Sequence, residues 1–232
     1  MDDGWVALFS GGKDSSLALH MALERGLSVD QLVTVHPPED SYLYHVPATG
    51  LAGLAAESIG LPLEEITLDG PLPDDDSEQR AAVELEPLEE ALTGMGDIAG
   101  LIAGAIESEY QAGRLEAMCD RLGCDLYAPL WRASPETVTG SLLDGGFDVL
   151  LVAVAAAGLD GTWLGRRLDE VAVAELQDLS ERYGVHPLGE GGEYETIVLD
   201  GPHMASAIEA EFERHWDGTR GRLELLDAHL AD

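Results

Sequence analysis

Basic residues are scarce in this chain. It has 12 lysines and arginines against 45 aspartates and glutamates, and only one of the 12 is a lysine, Lys13. The formal net charge of −33 disfavours nucleic acid as a partner, because a phosphate backbone is repelled unless the few cations are gathered together, and the arginines are scattered. Concentrated salt screens the repulsion between carboxylates, so the composition predicts a halophilic source.

Cysteines and long apolar runs are scarce as well. Cys119 and Cys124 are too few for a disulfide framework or a four-cysteine zinc site. We interpret them as ordinary thiols, with a redox or sulfur-transfer pair as the alternative. No stretch approaches the roughly 18 apolar residues of a membrane span, and the first residues lack the basic segment of a secretion signal. We therefore expect a cytoplasmic protein with no membrane partner.

Short apolar runs alternate with segments of helical spacing through the first half of the chain. The runs typical of buried strands are "WVALF", "LVTVH", "LEEITL", "DIAGLIAGAI" and "DLYAP". This alternation predicts βαβ units, hence a Rossmann-like α/β domain over residues 1–128 with a parallel sheet and helices on both faces. An acidic amphipathic helix between the third and fourth strands is interpreted as a solvated face.

The alternation weakens near Pro129, which predicts a second, smaller α+β domain over residues 129–232. Ser134 and Pro135 form a good N-cap and first helical position for "ETVTGSLLDGG", and a later amphipathic helix should end at Gly184. The strands predicted here are "FDVLLVAVAAAGL" and "TIVLDGP".

The segment "SGGKDS", Ser10 to Ser15, lies between the first strand and the first helix, where α/β folds bind ligands. Its glycines let backbone N–H groups turn inward, the helix N-terminus adds partial positive charge, and Lys13 and the serines supply further donors. The spacing is not that of a Walker loop, so an NTPase that cleaves the γ-phosphate is disfavoured. We predict a pyrophosphate-binding loop, with a plain tight turn as the alternative.

This loop resembles that of ATP-dependent ligases that cleave between the α- and β-phosphates. Along most of its length the chain resembles the diphthine ammonia ligase family, through "SGGKDSS", "VTVHPPEDSYLYHVP", "GAIESEYQAGRLE", "APLWR", "GLDGTWLGR" and "GEGGEYETIVLDGP". The resemblance implies a fold of the adenine nucleotide alpha hydrolase type, an archaeal source, and ATP-dependent amidation of diphthine on elongation factor 2. It implies release of AMP and pyrophosphate, and free ammonium as nitrogen donor, because no glutaminase module is apparent.

The resemblance also assigns roles to individual residues. Pyrophosphate and nucleotide are expected on Ser10, Gly11, Gly12, Lys13, Asp14, Ser15, His36, Tyr110, Gln111 and Arg114. Magnesium is expected on Asp14, and the catalytic set is Lys13, Asp14, Glu190 and Glu193. The acceptor is expected on His45, Trp163, Arg166, Gly191, Gly192, Glu193, Tyr194 and Glu195. Structural alternatives stay open for the histidines, the tryptophan and the Tyr110–Arg114 pair.

The second glycine loop, "GEGGEYET", carries three carboxylates, which ought to repel phosphate. Diphthine bears a quaternary ammonium group that carboxylates and aromatic faces recognise. We therefore hypothesise that Glu190, Glu193, Glu195 and Tyr194 bind this cationic acceptor. Magnesium binding by the same glutamates and a plain glycine-rich turn are the alternatives.

Two rival functions share the first loop. A tRNA-modifying enzyme, a thiolase or a lysidine-type ligase, would need a basic track and, for thiolation, catalytic cysteines. A non-catalytic nucleotide-binding module would lack the acidic glycine loop and would form no AMP. An amide ligase that acts on a small carboxylate in cofactor salvage is the remaining alternative.

Overall fold

The computed structural model describes residues 4–36, 48–68, 77–106 and 109–231, with the backbone alone described at 48–50, 77–84 and 109–112. Within these ranges no helix is both long and apolar enough to cross a membrane.

The first half of the chain forms a parallel sheet of five strands in the order β3-β2-β1-β4-β5. The strands are β1 Trp5–Leu8, β2 Val29–His36, β3 Leu63–Thr67, β4 Gly100–Ile102 and β5 Asp125–Tyr127. The helices that follow β1 to β4 in turn are α1 Lys13–Glu24, α2 Ala48–Ile59, α3 Ser77–Gly94 and α4 Glu109–Leu122. The predicted βα alternation is confirmed, and β1 at the centre places the loop after it in the middle of the sheet edge.

The second half forms an antiparallel sheet of four strands in the order β7-β6-β9-β8. The elements are α5 Pro135–Asp144, β6 Asp148–Val154, α6 Glu170–Tyr183, β7 Tyr194–Asp200, β8 Ile208–Trp216 and β9 Gly221–Leu230. The Ser134 hydroxyl accepts the Thr137 N–H at the start of α5, and Gly184 ends α6 at a φ of 73°. Both predicted helix ends are therefore confirmed.

The hairpin of β8 and β9 was not predicted, although its sequence carries the signal. In "IEAEFERHW" apolar and polar residues alternate with the period of two that marks a strand with one buried face. The Asp217 carboxylate accepts the N–H groups of Thr219 and Arg220, both at 2.9 Å, and so closes the turn. The prediction stopped at β7 and missed the longest strands of the sheet.

One hydrophobic core connects the two sheets. It contains residues of both, among them Leu17 of α1, Leu151 of β6 and Ile197 of β7. Ser58 of α2 reinforces this junction, because its hydroxyl donates to the Ser206 carbonyl and accepts the Ser206 N–H. The division into two domains at 128/129 stays a prediction. The parallel sheet lies before it and the antiparallel sheet after it.

Both cysteines are free thiols. Cys119 lies buried in α4, where burial and the neighbouring Cys124 raise its pKa to about 12. A thiol with so high a pKa is a poor nucleophile.

The excess of carboxylates predicts that stability depends on salt. We expect the midpoint of thermal unfolding to rise as KCl increases from about 0.1 M to about 1 M, because the screening length falls from roughly 10 Å to roughly 3 Å. Calorimetry across the salt series measures this, with sucrose as an uncharged control that is also excluded from protein surfaces. A midpoint that stays constant or falls with salt contradicts the prediction.

Candidate active site

The loop from Ser10 to Ser15 connects the central strand β1 to α1 at the carboxyl edge of the parallel sheet. The two serine hydroxyls lie 3.1 Å apart, and that of Ser15 also donates to the Gly12 carbonyl at 3.1 Å. Gly11 turns the chain at a φ of +76°, a conformation that side chains with a Cβ rarely adopt. The loop is thus held in a defined curve by its own residues.

The curved loop presents backbone donors at the N-terminus of α1. Among the described residues, the N–H groups of Gly11, Asp14 and Ser15 find no hydrogen-bond acceptor. Three N–H groups at the positive end of a helix form the usual site for a phosphate or another anion. These residues fit the pyrophosphate of a nucleotide.

Gly104, just after β4, allows the sheet to approach this site closely. A Cβ built there would lie 2.7 Å from the Asp14 carbonyl carbon and 2.8 Å from the Ser15 nitrogen, both backbone atoms. No side chain fits such a contact without moving the first turn of α1. The backbone of β4 therefore supports the loop directly.

Lys13, the single lysine, is buried, with a side chain 5% exposed. Its ammonium donates to the Asp14 carboxylate at 2.7 Å and to the Leu188 carbonyl at 2.6 Å. It also lies 5.7 Å from the centre of the Tyr194 ring, within range of a cation–π interaction. The only lysine is thus held jointly by the first loop and by the second half of the chain.

Asp14 is the residue expected to hold magnesium, and one of its oxygens is suited to the task. Oδ2 binds Lys13, whereas Oδ1 is buried and has no hydrogen-bond partner among the described residues. Those residues contain no group of three or more potential metal ligands. Magnesium at ATP sites is commonly bound by one or two carboxylates, waters and substrate phosphates, and Asp14 fits that arrangement.

The second glycine loop cannot bind phosphate in the way the first can, because its N–H groups are already used. Those of Leu188 and Glu190 point at His186 Nδ1 at 3.2 and 3.5 Å, and that of Gly189 donates to the His186 carbonyl. Those of Gly191 and Gly192 donate to the Glu193 carboxylate and the Gly189 carbonyl. The segment from His186 to Glu193 is a self-contained turn.

Two of its predicted acceptor-binding residues have structural contacts. The Glu193 carboxylate closes the turn by accepting the N–H groups of His186 at 2.9 Å and Gly191 at 2.8 Å. The Tyr194 ring is buried, and its hydroxyl donates to the Pro187 carbonyl at 2.6 Å. Burial and the nearby carboxylates, Asp14 first among them, raise the pKa of this phenol further above its usual value. The ring therefore faces Lys13, while Glu190 is exposed at the tip of the loop.

Glu195 differs from the other glutamates of this segment. Within the described ranges its carboxylate has neither a hydrogen bond nor an ion pair, and burial raises its pKa from 4.5 to about 7. Folding thus favours the protonated form. Ionisation of Glu195 lowers stability as pH rises from about 4.5 to about 7, and the loss is complete above pH 7.

We predict that Glu195→Gln raises the free energy of unfolding at pH 8, on the order of 2 kcal/mol, because one pKa unit corresponds to about 1.4 kcal/mol. The gain should shrink towards pH 5, where the native wild-type side chain is protonated. Chemical denaturation across this pH range measures the difference. Glu57→Gln, on the exposed face of α2, is the matched control and should show no such trend. An equal effect at pH 5 and pH 8 would exclude titration as the cause.

The other residues predicted for the site lie outside the two glycine loops, and some of them have structural partners. His36 ends β2 and binds Glu65 of β3 at 2.9 Å. Trp163 is buried, and the Arg166 guanidinium lies 4.4 Å from the centre of its ring while binding Glu175 of α6 at 2.6 Å. Arg114 lies in the second turn of α4. His45, and the side chains of Tyr110 and Gln111, lie outside the described residues.

Sequence reasoning missed three residues that shape the site. The Thr196 hydroxyl accepts the Lys13 N–H at 3.2 Å, the Val198 N–H donates to the Gly11 carbonyl at 2.8 Å, and Leu188 supplies the carbonyl for Lys13. Leu188 and Val198 act through backbone atoms, which carry no side-chain signal in a sequence. Thr196 is the last residue of the segment "GEGGEYET". Its one signal in the sequence is that it is the hydroxyl-bearing residue after three glutamates.

Family models match both halves of the chain. One described as the diphthamide synthase N-terminal domain matches residues 4–126, and one described as the diphthamide synthase C-terminal domain matches residues 134–230. A Danio rerio protein named diphthine–ammonia ligase is 37% identical over 216 residues, covering 88% of this chain and 84% of that protein. The Homo sapiens protein of the same name is 34% identical over 217 residues, covering 88% and 81%.

Two further similarities differ in extent. A Schizosaccharomyces pombe diphthine–ammonia ligase is 34% identical over 218 residues, and this chain spans 35% of its length. A solved structure, described as a predicted subunit of tRNA methyltransferase from Methanocaldococcus jannaschii, aligns over 86% of this chain and 98% of that one. Its TM-score is 0.48 at 18% identity, and no conclusion rests on it.

Proposed function

The chain belongs to the diphthamide synthase family, and from this premise we propose that it amidates diphthine on elongation factor 2 with ATP and free ammonium. The products are diphthamide, AMP and pyrophosphate. The observation that carries the proposal is the combination, at the N-terminus of α1, of Lys13, the buried Asp14 oxygen and N–H groups that have no acceptor among the described residues. It suits the binding of a leaving pyrophosphate, and the Walker spacing of a γ-phosphate-cleaving enzyme is absent.

The reaction has two bond-forming steps. In the first, a carboxylate oxygen of diphthine attacks the α-phosphorus of ATP, and the bond to the β-phosphate bridging oxygen breaks as pyrophosphate leaves. In the second, ammonia attacks the activated carbonyl carbon, AMP leaves with the bonding electrons, and the nitrogen loses a proton. The protein's task in the first step is to stabilise negative charge as it develops on the leaving group.

The residues of the first loop have distinct parts in that step. The N–H groups of Gly11, Asp14 and Ser15 hold the pyrophosphate, and the Lys13 ammonium neutralises its charge. Asp14 would hold magnesium through Oδ1, and a bound magnesium ion would polarise the phosphoryl oxygens as a Lewis acid. Burial strengthens these interactions, because little water competes for the donors.

The second loop is the proposed acceptor site. Its tip carries Glu190, and Glu195 is a carboxylate with no hydrogen bond or ion pair among the described residues. The negative charge of Glu190, joined by that of Glu195 above its pKa of about 7, suits the quaternary ammonium of diphthine. The Glu193 carboxylate accepts two N–H groups of its own turn. In this proposal it therefore acts on the acceptor indirectly, by holding the loop in shape.

The test is product analysis at molar salt with purified components. AMP and pyrophosphate should form only when ATP, an ammonium salt and elongation factor 2 carrying diphthine are all present, and the mass of the factor should change as carboxylate becomes amide. Elongation factor 2 with an unmodified histidine is the control and should give no AMP. Formation of ADP and phosphate, or AMP formation dependent on tRNA, would refute the proposal.

A further inference from the structure

The contact between Lys13 and Leu188 joins the two proposed sites. The donor belongs to the nucleotide loop, and the acceptor lies 175 residues later, inside the turn from His186 to Glu193. This hydrogen bond is buried and measures 2.6 Å. A phosphate placed on the N–H groups at the start of α1 would attract the same ammonium, and a movement of Lys13 towards it would lengthen the bond to the Leu188 carbonyl.

Tyr194 fixes the position of that carbonyl. Its hydroxyl binds the carbonyl of Pro187, the residue before Leu188, at 2.6 Å. On the other side, Gly189 has a φ of +74°, and a Cβ there would lie 2.9 Å from the Tyr194 carbonyl oxygen. The Leu188 side chain is buried as well. The Tyr194 hydroxyl therefore anchors the residue before Leu188, and the Tyr194 backbone lies close to the residue after it.

We propose that Tyr194 is a positioning residue that couples nucleotide binding to the acceptor loop. In this coupling its hydroxyl holds the Leu188 carbonyl against Lys13, and a nucleotide phosphate draws Lys13 towards itself and away from that carbonyl. Nucleotide binding then frees the turn from His186 to Glu193, and an acceptor that displaces this turn frees Lys13 for phosphate. Such coupling is reciprocal: each ligand raises the affinity of the other by the same factor.

The coupling rests on the proposed function only for the identity of the ligands. Its first test uses pyrophosphate alone as the probe and needs no catalysis. Because the chain has a single lysine, isotope labelling of lysine gives one side-chain signal, that of Lys13. Pyrophosphate should shift this signal and also the backbone amide signals of residues 186–194. A shift of the lysine signal with unmoved amides at 186–194 would overturn the coupling and leave the proposed function intact.

The second test is Tyr194→Phe, which removes only the hydroxyl. A merely structural role predicts weaker ATP binding in this variant, whereas the coupling predicts tighter binding. Without acceptor, the Kd for ATP should fall about 5-fold, the factor that corresponds to one neutral hydrogen bond. The KM for ATP should fall with it, and added acceptor should raise ATP affinity less than it does in the wild type.

The matched control is Tyr183→Phe, the same change at a tyrosine that is 59% exposed at the end of α6, and it should leave the Kd for ATP unchanged. An unchanged or raised Kd for ATP in Tyr194→Phe would refute the positioning role. If this variant does not fold, the pyrophosphate titration of the wild-type protein decides the question.

Discussion

Lys13→Met should lower the rate of AMP formation by roughly 10²-fold or more, the loss typical of removing one preorganised electrostatic contact. Methionine retains most of the buried volume but has no charge, so the loop keeps its packing. The Asp14 side chain, whose carboxylate loses its partner, is 26% exposed. The expected defect is therefore chemical, and initial rates of AMP and pyrophosphate release at saturating ATP measure it.

Arg25→Met is the control for the change in net charge. Arg25 lies at the opposite end of α1, where its guanidinium is 5.1 Å from the centre of the Tyr127 ring. Loss of this cation should leave the rate within about 2-fold, because exposed charges more than about 10 Å from a site are screened. A Lys13→Met protein that is folded and retains the wild-type rate would show that the lysine serves only to join the two halves of the chain.

Gly104→Ala should weaken ATP binding by at least about 10-fold while the protein stays folded. The added methyl group meets the backbone of Asp14 and Ser15 at under 3 Å, and backbone atoms in the first turn of a helix cannot move aside singly. Overpacking of this kind costs about 1–3 kcal/mol, and here the strain falls on the N–H groups that would hold phosphate. Isothermal calorimetry with ATP and thermal unfolding separate the loss of affinity from the loss of stability.

Gly113→Ala is the matched control, since a Cβ at this position of α4 meets no atom within 4 Å. Alanine is the better helix former, so this variant should gain up to about 1 kcal/mol of stability and bind ATP normally. Equal ATP affinity in Gly104→Ala and the wild type would show that the first turn of α1 is not the phosphate site. A similar loss in both variants would point to a general effect of replacing glycine.

The contacts of Lys13 bear on how an acidic glycine loop can lie beside a loop that is proposed to bind phosphate. The two loops touch through Lys13, whose ammonium binds the Asp14 carboxylate of the first and the Leu188 carbonyl beside the second. The N–H groups of the acidic loop are used within the loop itself, so its glycines provide tight turns. In the proposed function, Glu190 and Glu195 are the carboxylates of this loop that meet the cationic acceptor.

Much of the fold was predictable from local patterns. Apolar runs separated by helical spacing predicted the parallel sheet, and Ser134 and Gly184 marked helix ends, because strand burial and helix capping depend on residues adjacent in sequence. The run "DIAGLIAGAI" was predicted as a long strand, but β4 covers only Gly100–Ile102. After Ala103 the backbone leaves the sheet, and the next residue, Gly104, packs closely against the first turn of α1.

By itself the sequence determined where the glycine loop after the first strand lies, that its lysine is unique, and which family the chain resembles, since each of these follows from residue types and their order. Only the tertiary structure decided that Lys13 binds the carbonyl of Leu188, that Glu193 closes its own turn, and that Tyr194 faces the nucleotide loop. The contact between Lys13 and Leu188 joins residues 175 positions apart, and several of the contacts use backbone atoms, which every residue possesses. The contacts of Lys13 with Leu188 and Tyr194 are set by how the two sheets pack, and no local pattern carries that information.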